Sequence, residues 1–204
     1  MKNMIPLLEW CSKGGLSLIS FDTNAEYTAL KHILDSLSEK KIILIHSKPI
    51  RDELTSNITL IDATSHTLTE SAVISSQLGE EKGPFVIDTP ADIRVFLGRF
   101  QKLTNTFKDT DFWVWWSPSD LITHGIEEKE IARCLRIFSK DYSTLNVLVL
   151  IAKNIHTPQG FAILEYITEK HFAFTRSNIA DRDAYSCKIL KHPDMQMEGE
   201  VVEL

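Results

Sequence analysis

The chain has 204 residues, of which 43% are hydrophobic and 25% charged, with a formal net charge of −6. That length suits one well-buried core, and the balance of apolar and charged residues excludes a disordered or fibrous protein. The acidic excess argues against a broad surface for nucleic-acid phosphates, and Met4–Leu8, broken by Pro6, is too short for a secretion signal or a membrane span.

In chain order, Leu16–Phe21 is a short apolar run that leads into a segment where Tyr27, Leu30, Ile33, Leu34 and Leu37 recur at helical spacing. This predicts a buried strand followed by a helix, with Asp22 or Thr23 placed to cap its first turn. Further strands are predicted at Lys41–Ser47, Ile58–Asp62, Phe112–Trp116 and Leu145–Ile151. Ile42–Ile45 and Val147–Ile151 are apolar on both faces, as strands covered by helices on both sides should be.

Between the strands, Thr89-Pro-Ala-Asp92 combines a capping threonine, a first-turn proline and an acid, and opens a helix with Ile93, Phe96, Leu97, Phe100 and Leu103 inward. Two more helices are predicted, from about Glu127 to Lys140 and from Thr157-Pro158 onward. From residue 170 the order changes. His171–Thr175 and Tyr185–Leu190 have no helix between them and predict an antiparallel hairpin over about 170–192, its strands separated by the polar Ser177–Asp183. The tail 193–204 is acidic and partly apolar, an edge strand or a loose end. The whole chain, 1–204, reads as one α/β domain with a mostly parallel sheet.

The chemistry-bearing segment is the first strand and helix. A strand–loop–helix is the context of a phosphate-binding loop, G-x-x-x-x-G-K-[ST], whose glycines let backbone N–H groups close on phosphates while the lysine neutralises them. Laid on that pattern without a gap, the glycines fall on Phe21 and Glu26 and the lysine on Tyr27; Asn24 sits in the loop and only Thr28 fits. Loss of the cation and gain of a carboxylate should repel a nucleoside triphosphate.

Four stretches carry a resemblance that covers nearly the whole chain: Gly14-Gly15-Leu-Ser-Leu-Ile19; Phe112-Trp-Val-Trp-Trp-Ser-Pro-Ser-Asp-Leu-Ile122; the helix and strand from Glu127 to Ile151; and Gly160–Ile167 with the hairpin after it. Together they resemble the RecA-type ATPase core, and more closely its KaiC-like branch, including small single-domain archaeal members. The resemblance implies a RecA-like three-layer α/β/α fold with a C-terminal hairpin. If Ser117 and Asp120 match the family's serine and following aspartate, the Walker B carboxylate position holds Trp116, and an indole cannot hold magnesium through water. A different register would put Asp88, after Val86-Ile, at that position. Either way Glu26 and Tyr27 leave the phosphate end without a cation.

The resemblance then implies a pseudo-ATPase that binds no cofactor and acts as a regulatory or scaffold subunit, paired with an active RecA-like paralogue or with itself. A second reading is a small-ligand binder or enzyme with a site rebuilt from Asp22, Asp88 and Asp120 at the carboxyl edge of the sheet. A third is a DNA-repair accessory that binds single-stranded DNA. Asp62 reads as a turn former, and the cluster Lys40, Lys41, Lys48 and Arg51 as a solvated helix end and loop.

No C-x-x-C, H-x-x-x-H or H-E-x-x-H spacing is present, so no metal site is expected. His46 reads as a half-exposed strand-end histidine, while His124 and His156 follow strand or loop ends near the expected ligand edge. Cys11, Cys134 and Cys187, odd in number and far apart, fit buried reduced thiols in a cytoplasmic protein. Three of the four tryptophans fall within Trp113–Trp116. Strand alternation puts Trp113 and Trp115 on one face and Trp116 on the other; the indoles read first as core filling under the helices and second as a plug for a vacated nucleotide cleft.

Overall fold

A computed structural model of the chain describes residues 11–22, 25–47, 50, 54–63, 85–86, 93–123, 125–179 and 182–203. The described strands form one nine-stranded sheet: β1 (Gly15–Phe21), β2 (Ile42–His46), β3 (Ile58–Asp62), β4 (Phe85–Val86), β5 (Phe112–Trp116), β6 (Asn146–Ala152), β7 (Lys170–Ile179), β8 (Arg182–Lys191) and β9 (Val201–Glu203). Their spatial order is β4-β3-β2-β5-β6-β1-β7-β8-β9. All pairings from β4 to β7 are parallel, and β8 and β9 add to that edge in antiparallel fashion.

The helices are α1 (Glu26–Ser36), α2 (Ile93–Thr106), the single turn α3 (Asp120–Thr123), α4 (Glu128–Asp141) and α5 (Pro158–Ile167). Strand alternation divides the core in two. Ile19, Phe21, Leu44, Val114 and Trp116 pack with Leu30 and Ile33 of α1 on one face. Leu18, Ile45, Trp113, Trp115 and Val149 pack with α2, α4 and α5 on the other, through Phe96, Phe100, Ile131, Phe138 and Leu164. The result is the three-layer α/β/α arrangement with a mostly parallel sheet that the sequence predicts. Trp113 and Trp115 stay on the α2–α4 side: Phe96 stacks on Trp115 with ring centroids 4.8 Å apart, and Phe100 meets Trp113 edge-on at 5.0 Å.

The glycine pair before β1 has a local cause. Gly14 has φ +75°, and a Cβ there would stand 2.8 Å from the Ser143 carbonyl oxygen, so only glycine lets the chain enter β1 this close to the α4–β6 turn. Cys11, Cys134 and Cys187 are buried free thiols, as expected, and burial pushes those of Cys11 and Cys187 up to about 12.

Several expectations need correction. The N-cap position of α1 is Ala25, with no side-chain cap; Asp22 instead pairs with Lys153 on the surface, and Thr23 lies outside the described residues. Thr89–Asp92, the expected start of α2, also lies outside them. The polar stretch after Thr175 does not separate the hairpin strands: β7 runs to Ile179 and β8 starts at Arg182, because an edge pair is held by its backbone ladder whatever its side chains. The tail supplies an edge strand, β9, after a 3₁₀ turn at Met195–Met197 capped by the Asp194 carboxylate. α5 starts at Thr157-Pro158 as predicted, and Thr157 caps it, its hydroxyl accepting from Gly160 N–H at 3.0 Å.

Candidate functional site

Parallel strands place all their carboxyl ends on one edge, and that is where an open α/β sheet presents ligand-binding groups. Here the edge carries Phe21 of β1 in register with Ala152 of β6, and Trp116 of β5 in register with His46 of β2. The sheet order puts one strand, β6, between β1 and β5, so Trp116 lies about 10 Å across the sheet from the end of β1, at ~4.8 Å per strand. β4, the strand that leads toward Asp88, lies five spacings from β1, roughly 24 Å away. Asp88, Asn24 and His124 lie outside the described residues, as does the side chain of Asp62.

The remaining predicted residues are distributed as follows. Phe21 and Trp116 are buried on the α1 face of the sheet. Glu26 begins α1 with its side chain buried, 5% exposed, at the positive end of the helix dipole. Thr28 lies half-buried one residue beyond Tyr27. The Tyr27 phenol, 40% exposed, turns over the sheet edge and meets the Trp116 indole edge-on, with ring centroids 6.3 Å apart and planes at 61°. The positions that the resemblance assigns to the phosphate lysine and to the metal carboxylate are thus filled by two aromatic rings in contact.

The cations at this edge are placed differently from a phosphate clamp. Lys153, just after β6, pairs with Asp22 at 3.3 Å on the surface. Asp120 starts the short helix α3, where an acid complements the helix end, its backbone N–H bonded to the Ser117 carbonyl. Asp22 has Lys153 as its ion-pair partner, and no ion pair or hydrogen bond joins it to Asp120 among the described residues. Among the described residues no group of three or more His, Cys, Asp or Glu side chains is placed to hold a metal ion.

Ser117 is the strained position of the edge. It follows β5 directly, is fully buried, and has φ +58°, the left-handed region that costs a non-glycine residue roughly 1 kcal/mol. Its hydroxyl has no hydrogen-bond partner among the described residues. The bend lets the chain leave β5 under the neighbouring strand, with Ser117 N–H bonded to the Leu150 carbonyl at 3.0 Å.

The structure also builds two constellations that no local motif announces. Ser119 Oγ shares a hydrogen bond with His156 Nε2 at 2.9 Å, and His156 Nδ1 stands 3.2 Å from a Glu128 carboxylate oxygen. Ser20 Oγ shares one with His171 Nε2 at 2.8 Å, and His171 Nδ1 stands 3.1 Å from Glu165. Both follow the serine–histidine–carboxylate order of a hydrolytic triad. Their settings are structural. Both serines are buried, and Ser119 Oγ additionally accepts the Ala152 N–H at 3.2 Å. Glu128 also accepts from Thr157 N–H and Thr157 Oγ–H, each at 2.7 Å, so it fixes the start of α5. A Cβ at Gly160 would collide with that carboxylate, which accounts for the glycine inside the first turn of α5.

Burial pushes both histidines toward the neutral form. His171 falls to about 4, through desolvation and then the Lys191 and Lys153 charges. His156 is lowered by desolvation against the pull of Glu128. The sequence marks His156 as a residue near the ligand edge. Its partners Ser119 and Glu128 lie 37 and 28 residues away along the chain and carry no signal of their own.

No family model matches the chain, and no curated protein matches it. Among solved structures the chain is similar to a KaiC-like protein of the hyperthermophilic archaeon Pyrococcus horikoshii OT3, with a TM-score of 0.62 over 94% of this chain and 85% of that one, at 13% identity. At that identity the likeness is one of fold, and the fold that this chain shares with the KaiC-like protein is the RecA-like α/β architecture.

Proposed function

We propose that this chain is a RecA-fold protein that has given up nucleotide hydrolysis and acts as a regulatory or scaffold subunit by contact with another protein. The observation that carries the reading is the ring contact between Tyr27 and Trp116. A phosphate clamp needs a cation and free backbone N–H groups at the start of the helix after β1, with a carboxylate across from them for the metal. At this edge α1 starts with a buried carboxylate, the following side chain is a phenol, and the facing position is an indole. RecA-like ATPases bind nucleotide between subunits, so a member without the chemistry can keep an assembly surface and pair with an active paralogue or with itself. Three buried free cysteines agree with a reducing, cytoplasmic setting, and among the described residues no helix is long and apolar enough to cross a membrane.

A rebuilt small-ligand site would need an opening at the same edge. Two grooves are formed among the described residues, one of about 110 Å³ lined by Tyr27 and Leu30 of α1 with Leu54 and Ile58, another of about 150 Å³ between α4 and α5, and neither is lined by Asp22, Trp116 or Asp120.

The test is titration of intrinsic tryptophan fluorescence with ATP and ADP, with and without magnesium, because Trp116 reports directly on the edge. The expected outcome is no saturable change up to about 1 mM nucleotide and no shift in melting temperature. Saturable, magnesium-dependent binding, or ATP hydrolysis that disappears on changing Tyr27, would overturn the reading.

A further inference from the structure

Helix α5 has little apolar packing and is tied to its neighbours by polar groups at both ends. Leu164 is the one fully buried side chain it contributes, with Phe161 and Ile167 half-buried beside it, whereas α4 buries Ile131, Cys134, Leu135 and Phe138 in the same layer. At the start of α5, Glu128 accepts from Thr157 N–H and Oγ–H, and the same carboxylate stands 3.2 Å from His156 Nδ1, whose Nε2 meets Ser119. At its other end, Glu165 stands 3.1 Å from His171 Nδ1, whose Nε2 meets Ser20 of β1, and the Lys191 ammonium donates to the Glu165 and Tyr166 carbonyls at 3.0 and 3.2 Å. Each end therefore depends on a carboxylate beside a histidine.

The helix also keeps one of those imidazoles dry. His171 faces α5 from β7, is 2% exposed, and has the Phe161 ring edge-on at 5.8 Å. The charged groups around it are Glu165 from α5, Lys191 from β8 and Lys153 beyond β6. Around His156 stands Glu128 of α4, with the neutral Ser119 at the other ring nitrogen. Burial, then the Lys191 and Lys153 charges, hold His171 at about 4, and burial lowers His156 as well. An imidazole in water titrates near 6.5.

We propose that α5 is an acid-sensitive latch: as pH falls, it lifts from the sheet as a unit and lets His171 and His156 take up protons, while the rest of the core stays closed. Lifting α5 returns water to His171, so the open form binds the proton first and each proton bound favours opening. Above pH 6.5 both forms hold a neutral imidazole and the latch is shut. Between 6.5 and 4 only the open form is protonated at His171, and the opening equilibrium rises about 30-fold from pH 7.5 to pH 5 through that residue alone. α5 gives way before α4 because it withdraws a single fully buried side chain from the core.

The test is amide hydrogen exchange of the full chain at about pH 7.5 and pH 5, read by mass spectrometry segment by segment and corrected for the intrinsic pH dependence of exchange. Residues 158–167 are expected to lose protection by about 30-fold at the lower pH, with His156 adding to that factor, while α1 and the central strands β5 and β6 keep theirs. His171→Asn keeps a side chain able to bond Ser20 and Glu165 but unable to titrate, and should remove the factor of about 30. The comparison of α5 with α1 in the unaltered chain decides the matter even if that variant does not fold. Unchanged protection of α5, a loss shared equally by α1 and α5, or the full loss retained in folded His171→Asn protein would each overturn the proposal.

Discussion

The two faces of the sheet edge are closed by different means. On the α1 face, Phe21, Trp116 and Tyr27 close it with rings, and Phe174 of β7, in register with Phe21, adds another. On the α4–α5 face, Ser20 and Ser119 are tied through His171 and His156 to carboxylates on α5 and α4. The Trp116 ring fills the α1 face while its buried Nε1–H finds no hydrogen-bond partner among the described residues. The buried hydroxyls of Ser20 and Ser119 each have a histidine partner with a carboxylate behind it. A ligand edge can thus be retired by packing on one side while polar chains hold the other.

The largest effect should come from emptying the ring-filled side. Trp116→Ala is expected to lower stability by about 3–5 kcal/mol in urea denaturation, the usual cost of a large core cavity. It should not restore nucleotide binding, because the missing cation is at Tyr27; a variant that bound ATP would separate steric plugging from electrostatic loss.

The second prediction concerns the polar side and uses pH. His171 is held at about 4, against 6.5 for an unburied histidine, so between those values the unfolded chain takes up a proton that the folded chain refuses. Stability contributed by the neutral histidine is complete above pH 6.5 and is lost as pH falls toward 4, with His156 adding in the same direction. Over that interval the linkage amounts to about 3 kcal/mol. A urea midpoint that stayed level or rose over this interval would show that the imidazoles are not the weak point of that face.

The smallest effect belongs to the bend between the two sides. Ser117→Gly removes a left-handed non-glycine residue and a buried hydroxyl without a partner, and should raise stability by about 0.5–1 kcal/mol. Destabilisation instead would mean that the hydroxyl makes a contact worth more than the strain.

The central strands were legible because strands buried on both sides show as apolar runs: Ile42–Ile45 and Val147–Ile151 need no partner to be identified. The facing of Trp113, Trp115 and Trp116 was legible for the same reason, since alternation along a strand is local geometry. Thr157 before Pro158 announced the start of α5 through a cap completed within three residues. Less legible were β4, with two residues, α3, with four, and the long strands of the hairpin, all stabilised by neighbours remote in sequence.

At the candidate site the division is the same. The residue types of an emptied phosphate loop, Phe21, Glu26, Tyr27 and Thr28, were determined by the sequence itself, since the pattern is contiguous and its chemistry is a matter of which side chains are present. That the Tyr27 ring meets Trp116, 89 residues later, was decided by the sheet order that sets β6 alone between β1 and β5. The serine–histidine–glutamate chains belong to tertiary structure too. Each brings together residues from different elements, and only packing those elements on one face of the sheet creates the contact.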